Sequence, residues 1–238
     1  MPRLALTGPV AALDEWMEGA QVPGWELVPC PLIELFPCSA SAEDLEGLRE
    51  FGEPQLIALT SRHAVGLLVE LALAEPGLTQ LPSWVVGQRT ATALGQAGWK
   101  APLRVEADAA QLTQALLQAD PRPSRVLWPR GDQSDELALA LRQSGIRVFD
   151  PIAYTNRPRR AVSWPACEWV FFASPSAVDR WLELEGASAA GALAIGETTL
   201  RRLREAARDR FSAIIPLPHP TVAALRSCLV ELGRAGSK

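Results

Sequence analysis

The chain has 238 residues, 48% hydrophobic and 21% charged, with a formal net charge of −4. Such a composition can fill one large core or two smaller ones, and it lacks the basic footprint that nucleic-acid binding requires. No apolar stretch approaches the ~18 residues of a membrane span, and MPRLALTGPV runs into a strand-like segment unlike a signal peptide, so a cytoplasmic protein without membrane contact is expected.

In chain order, residues 3–35 read strand, helix, strand: an apolar start, helical spacing through Leu13, Trp16 and Met17, a Pro-Gly break, then Leu27 and Val28. The proline-bounded PCPLIELFP follows. LIALTSRHAV (56–65) and WVVGQRTATAL (84–94) are strand-turn-helix units, with helices expected over 62–73, 89–97 and, further on, 109–119. RVLWPRGDQSDELALALRQSGIRVFDPIAY (125–154) reads strand 125–128, a turn through Pro129, Arg130 and Gly131, a helix carrying Leu137 and Leu141 that stops at Gly145, and a strand at 147–149. After DPIAYTNRP, WVFFASPSAV (169–178) and LAIGETTLRRL (193–203) are two more strand-turn-helix units. Their helices are expected over 176–184 and 198–208, and a last one over 221–233, before a GRAGSK end that should fray.

The paired units repeat, each pair being a strand that ends at serine followed by one that ends in glycine and threonine. Ile57 to Leu59 and Val170 to Phe172 are short unbroken apolar runs, as in parallel strands covered on both faces. Ser61 and Ser174 then suit the N-cap of the next helix, and Thr90 and Thr199 repeat the arrangement after Gly87 and Gly196. Helix starts at the carboxyl ends of parallel strands are where open α/β sheets bind ligands, because free N–H groups converge there. A tandem split near residue 120 and a discontinuous arrangement fit the periodicity equally. The two proline-bounded segments look like two crossings of one hinge, near 31–38 and 150–157, and favour a domain made of 1–36 plus 156–238 with 38–150 inserted as the other.

Of the 23 basic residues only Lys100 and Lys238 are lysines, so arginine carries any anion recognition. Cys30, Cys38, Cys167 and Cys228 show no C-x-x-C spacing, and His63 and His219 are far apart, so neither a metal site nor a disulfide framework is expected.

TSRHAV, VVGQRTATAL, LWPRGDQSDELALALRQSGIRVFDPIAYTNRP, FFASPSAV, AIGETT and PHPTVAALRSCL stand in the order and spacing of uroporphyrinogen-III synthase, and the chain resembles that family over nearly its whole length. The resemblance implies two α/β/α three-layer domains with parallel sheets, joined by a two-stranded connector, with a cleft between the lobes. It implies closure of the linear tetrapyrrole hydroxymethylbilane to uroporphyrinogen III, with inversion of the last ring through a spiro intermediate and no cofactor. A monomer is expected. Hydroxymethylbilane also closes spontaneously without inversion, so the enzyme's main task is to hold one conformation, which suits a chain with no evident triad or paired carboxylates.

Tyr154 is the only tyrosine and matches the one the family places in its cleft. It is either a hydrogen-bond donor to the departing hydroxyl or a ring packed on the connector with a wet hydroxyl. Ser61, Arg62, Thr90, Ser174, Thr198 and Thr199 match cleft-facing turn residues. They are read as donors to the substrate's carboxylates or as helix caps, roles that are compatible. Arg130 is a further candidate of this kind. Ala173 stands where the family often has threonine, and Glu197 where it usually has proline, which puts a negative charge near a polyanionic ligand. His63 reads as a helix N-terminal residue rather than a proton carrier, no partner being evident. The competing reading is a two-lobed module that closes on an anionic small molecule or tetrapyrrole without transforming it.

Overall fold

The structure, a computed structural model, describes residues 1–133, 135–159, 164–184 and 191–235. The last residues of the GRAGSK end lie outside them. From the N-terminus the elements are β1 (Arg3–Leu6), α1 (Val10–Gly19), β2 (Glu26–Pro29), β3 (Ile33–Pro37), α2 (Ala42–Phe51), β4 (Leu56–Leu59), α3 (Val65–Ala74), β5 (Ser83–Val86) and α4 (Gln88–Gln96). Then come β6 (Arg104–Glu106), α5 (Ala109–Leu117), β7 (Arg125–Leu127), β8 (Arg130–Gly131), α6 (Glu136–Gln143), β9 (Arg147–Phe149) and β10 (Ile152–Pro158). The chain ends with β11 (Trp169–Phe172), α7 (Pro175–Glu183), β12 (Gly191–Ala194), α8 (Glu197–Ala206), β13 (Ala213–Pro216) and α9 (Val222–Ala235).

Two compact units form, one from Met1–Glu34 with Arg157–Lys238 and the other from Leu35–Asn156. Each is built on a parallel five-stranded sheet. In the first the order is β13-β12-β11-β1-β2, and in the second β6-β5-β4-β7-β9. A separate three-stranded sheet, β3-β10-β8, contains both segments where the chain passes from one unit to the other.

Alternation along the strands sends apolar side chains to both faces, so both must be covered. In the first unit Leu4 and Leu6 pack with Leu13, Trp16, Leu225 and Leu229 of α1 and α9. Ala5, Val170 and Phe172 point the other way, toward Val178 and Trp181 of α7 and Leu203 of α8. In the second unit Ile57 and Leu59 meet Leu68 and Leu71 of α3 and Leu94 of α4, while Leu56 and Ala58 meet Leu112 and Leu116 of α5 and Leu137 and Leu141 of α6. Each unit is therefore a helix-sheet-helix sandwich with its own cores, and the fold class matches the sequence reading.

Several local expectations change. The helix expected over 62–73 begins with a 3₁₀ turn, Arg62–Ala64, and becomes α-helical only at Val65. Helix α2 has no counterpart in the sequence reading, yet it is fixed by a capping box in which Ser41 and Asp44 exchange bonds between side chain and backbone. Trp25 is buried and donates its indole N–H to the Leu229 carbonyl at 2.9 Å. Trp84 is half-covered by the Arg104 guanidinium, 4.7 Å from its ring centroid, and Trp164 packs edge-on against Trp181.

Candidate functional site

The strand-end turns occupy one edge of each sheet because all strands of a parallel sheet run the same way. In the Leu35–Asn156 unit, β4 and β5 are neighbours in register, Leu59 opposite Val85, so the turns after them lie side by side. After β4, Ser61 leaves the strand in extended conformation and its Oγ accepts from the His63 N–H at 3.2 Å. That bond closes the 3₁₀ turn and presents Arg62 and His63 half-buried at the edge. After β5, Gly87 takes a φ of 75°, a conformation that favours glycine, and α4 begins at once with Thr90 buried in its first turn.

Beyond β7 the chain passes Trp128, whose indole N–H donates to Thr60 Oγ1 at 3.2 Å, and enters β8. Gly131 is the register partner of Tyr154 on β10. The two are in close contact: a Cβ on Gly131 would fall 2.7 Å from Cε2, 2.8 Å from Cζ and 2.9 Å from the hydroxyl oxygen of Tyr154. The Tyr154 ring also meets the His63 imidazole, with ring centres 5.7 Å apart and planes at 62°. Below the ring lies the core that contains Ala64, Val65 and Ala153. The fold thus brings Tyr154 onto the Ser61 turn, a proximity that distance along the chain conceals.

His63 has its pKa lowered from 6.5, first by burial and then by the positive charge of Arg62, so the imidazole is neutral at pH 7. Arg130 is engaged by groups of its own unit. Its Nε donates to Asp150 at 2.8 Å and a terminal nitrogen to the Gly131 carbonyl at 3.1 Å, while Arg142 takes the other Asp150 oxygen at 2.5 Å. Asp150, which carries no signal in the sequence, is thus clamped between two arginines, and Arg130 braces β8 beside the tyrosine.

In the other unit β11 and β12 are adjacent, Phe172 opposite Ala194, and their turns are neighbours too. Ser174 Oγ accepts from the Ala177 N–H at 3.2 Å and lies 3.0 Å from Ser176 Oγ. Thr199 is buried at the start of α8, whereas Thr198 and Glu197 are less enclosed there. Glu197 stands in the first turn, where a carboxylate suits the positive end of the helix dipole. Arg202 bridges α8 to α7 by donating to Asp179 at 2.6 Å. Thr7, at the end of β1, also escapes the sequence reading. Buried, it donates its hydroxyl to the Phe171 carbonyl at 2.7 Å and ties the β1 turn to the β11 turn. Among the described residues no group of three or more His, Cys, Asp or Glu side chains could hold a metal ion, and no helix is long and apolar enough to cross a membrane.

Against this geometry stands a match to the family model of uroporphyrinogen-III synthase HemD over residues 14–225. The chain belongs to this family. Members with solved structures share its architecture. Uroporphyrinogen-III synthetase from Helicobacter pylori aligns at 17% identity and a TM-score of 0.63, covering 98% of this chain and 100% of that one. A mutant uroporphyrinogen III synthase from Thermus thermophilus aligns at 20% identity and 0.64, covering 100% and 99%. The wild-type Thermus thermophilus enzyme in another crystal form aligns at 19% and 0.51 over both full chains. At these identities the structural likeness speaks for the fold, and the family model for membership. Among curated proteins no sequence match was found.

Proposed function

We propose that this protein, like its family, is a cyclising, water-eliminating lyase that converts hydroxymethylbilane to uroporphyrinogen III with inversion of ring D through a spiro intermediate. The observation that carries this reading is the family match, which runs through both units and takes in the Ser61 turn, Tyr154 and the Ser174 turn. Departure of the terminal hydroxyl gives an azafulvene. The carbon of ring D that already bears a substituent attacks it, and the spiro intermediate then fragments and recloses. Holding the chain for that attack rather than for direct closure is a positioning task.

Tyr154 is the residue for the departing oxygen, its phenol donating a hydrogen bond as the C–O bond lengthens. Ser61, Thr90, Ser174, Thr198 and Thr199 mark helix N-termini whose backbone N–H groups receive the acetate and propionate carboxylates. Arg62 supplies a charge-assisted contact. Arg130, already bound to Asp150, contributes chiefly by keeping β8 in place. The protein works as a cytoplasmic monomer, with the two units serving as its two domains and with no nucleic-acid or membrane partner.

The test is to supply freshly generated hydroxymethylbilane to the purified protein, oxidise the products and separate the porphyrin isomers. Predominant type III product that disappears on heat denaturation is the expected result. Type I product at the spontaneous rate would overturn the proposal, and size-exclusion chromatography with light scattering tests the monomer.

A further inference from the structure

We propose that Gly131 and His63 are positioning residues that form a slot for the Tyr154 ring and so fix the aim of its hydroxyl. This rests on the reading of Tyr154 as the group that meets the departing oxygen. Two independent contacts build the slot. On one side is the Gly131 backbone, close enough to Cε2, Cζ and the hydroxyl oxygen that any side chain there would occupy the place of the phenol itself. Gly131 does not adopt the left-handed conformation that would otherwise call for glycine. A glycine inside a strand then points to close approach by another group, and the group here is the reactive end of Tyr154. Against the ring lies the His63 imidazole, 5.7 Å away centre to centre in a tilted arrangement that aromatic pairs favour.

Each wall is anchored in turn. His63 is set by the bond its N–H donates to Ser61 Oγ, and Gly131 by the bond its carbonyl accepts from Arg130, itself held on Asp150. The Asp132 N–H donates to the Tyr154 carbonyl at 3.1 Å, and the Asn156 N–H to Asp132 Oδ1 at 3.0 Å, which locks β8 to β10 beside the ring. Because burial and then Arg62 lower its pKa, His63 meets the ring as a neutral imidazole. A flexible tetrapyrrole gains from a donor whose direction is set before it binds, and a misplacement of about 1 Å can cost as much as ~10²-fold in rate.

The experiment measures kcat, KM, the type III fraction and thermal stability for Gly131→Ala, His63→Ala, His63→Phe and Tyr154→Phe, and for the first two combined with Tyr154→Phe. We expect Gly131→Ala and His63→Ala to lower kcat by about tenfold or more with KM changed far less. His63→Phe should restore most of the rate because it keeps a ring in place, and neither substitution should lower the rate further once Tyr154 is phenylalanine. Unchanged kcat in Gly131→Ala and His63→Ala beside a slow Tyr154→Phe would overturn the slot and leave the tyrosine's role standing. A fully active Tyr154→Phe would overturn the role of the tyrosine and the slot with it. Should Gly131→Ala unfold, the His63 pair decides alone, since failure of His63→Phe to recover the rate lost in His63→Ala also overturns the slot.

Discussion

At the scale of single residues, charge and burial decide two outcomes. Arg130 and Asp150 are largely withdrawn from solvent, with side chains 17% and 14% exposed. Truncating the arginine therefore leaves a mostly buried carboxylate that keeps Arg142 but loses its other guanidinium. Arg130→Ala should lower unfolding free energy by about 2 kcal/mol, read as a shift in urea midpoint, while KM for hydroxymethylbilane moves less than stability does. Cys30, 1% exposed, has its thiol pushed up to about 12, first by burial and then by nearby Cys167. Its ordinary value of 9.0 in the unfolded chain is lower, so below pH 9 both states hold the proton and nothing is lost. Between pH 9 and 12 the unfolded thiol ionises and the folded one does not, so stability falls as pH rises. Cys167 and Cys228 shift in the same direction. Urea midpoints should drop from about pH 8 to about pH 10, and Cys30→Ala should shrink that drop. Of these residue-level facts the sequence shows Tyr154 and the capping serines, since a lone tyrosine and a serine at a strand end are visible in one dimension. The His63 contact is invisible there because its partner is remote in sequence. The role of Gly131 is not legible there either: the sequence reads it as part of a turn, and only its place in β8, without a left-handed conformation, marks a close neighbour.

At the scale of elements, the apolar period identifies those whose cores are continuous, such as β4 with LIAL and β11 with WVFF, every residue of β4 being buried. It misses α2, where only Leu48 and Phe51 are buried among charged neighbours, and β6 and β13, short edge strands with little to bury. What defines α2 is its start. Ser41→Ala removes the hydroxyl that accepts from the Asp44 N–H at 3.0 Å and should cost about 1 kcal/mol, whereas Ser41→Asp, which keeps an acceptor, should cost far less. Circular dichroism during urea unfolding measures both. The 3₁₀ turn at Arg62–Ala64 has a similar lesson. Helical spacing extends the helix back to residue 62, but the bond from the His63 N–H to Ser61 tightens the first turn instead.

At the scale of the molecule, each of the cores described above, among the described residues, is drawn from one unit. Trp181 organises one of them, stacked on Phe211 at 4.9 Å and edge-on to Phe172 and Trp164. Trp181→Ala should destabilise its unit by about 3–5 kcal/mol. Calorimetry should then resolve two transitions, the lower from the unit containing Trp181 and the upper unchanged from Leu35–Asn156, because two-state behaviour fails when units separate in stability.

The place of β1 in its sheet, between β2 and β11, has a consequence for synthesis on the ribosome. All of Leu35–Asn156 emerges before any of β11, so the inserted unit is free to fold while β1, paired with β2 alone, waits with one edge open. The wait spans the ~140 residues between the end of β2 and the end of β11, about 7–28 s at roughly 5–20 residues per second. During it, an apolar strand with an unpaired edge is exposed to other chains, so the nascent chain, more than the finished protein, is where this topology invites aggregation and chaperone capture.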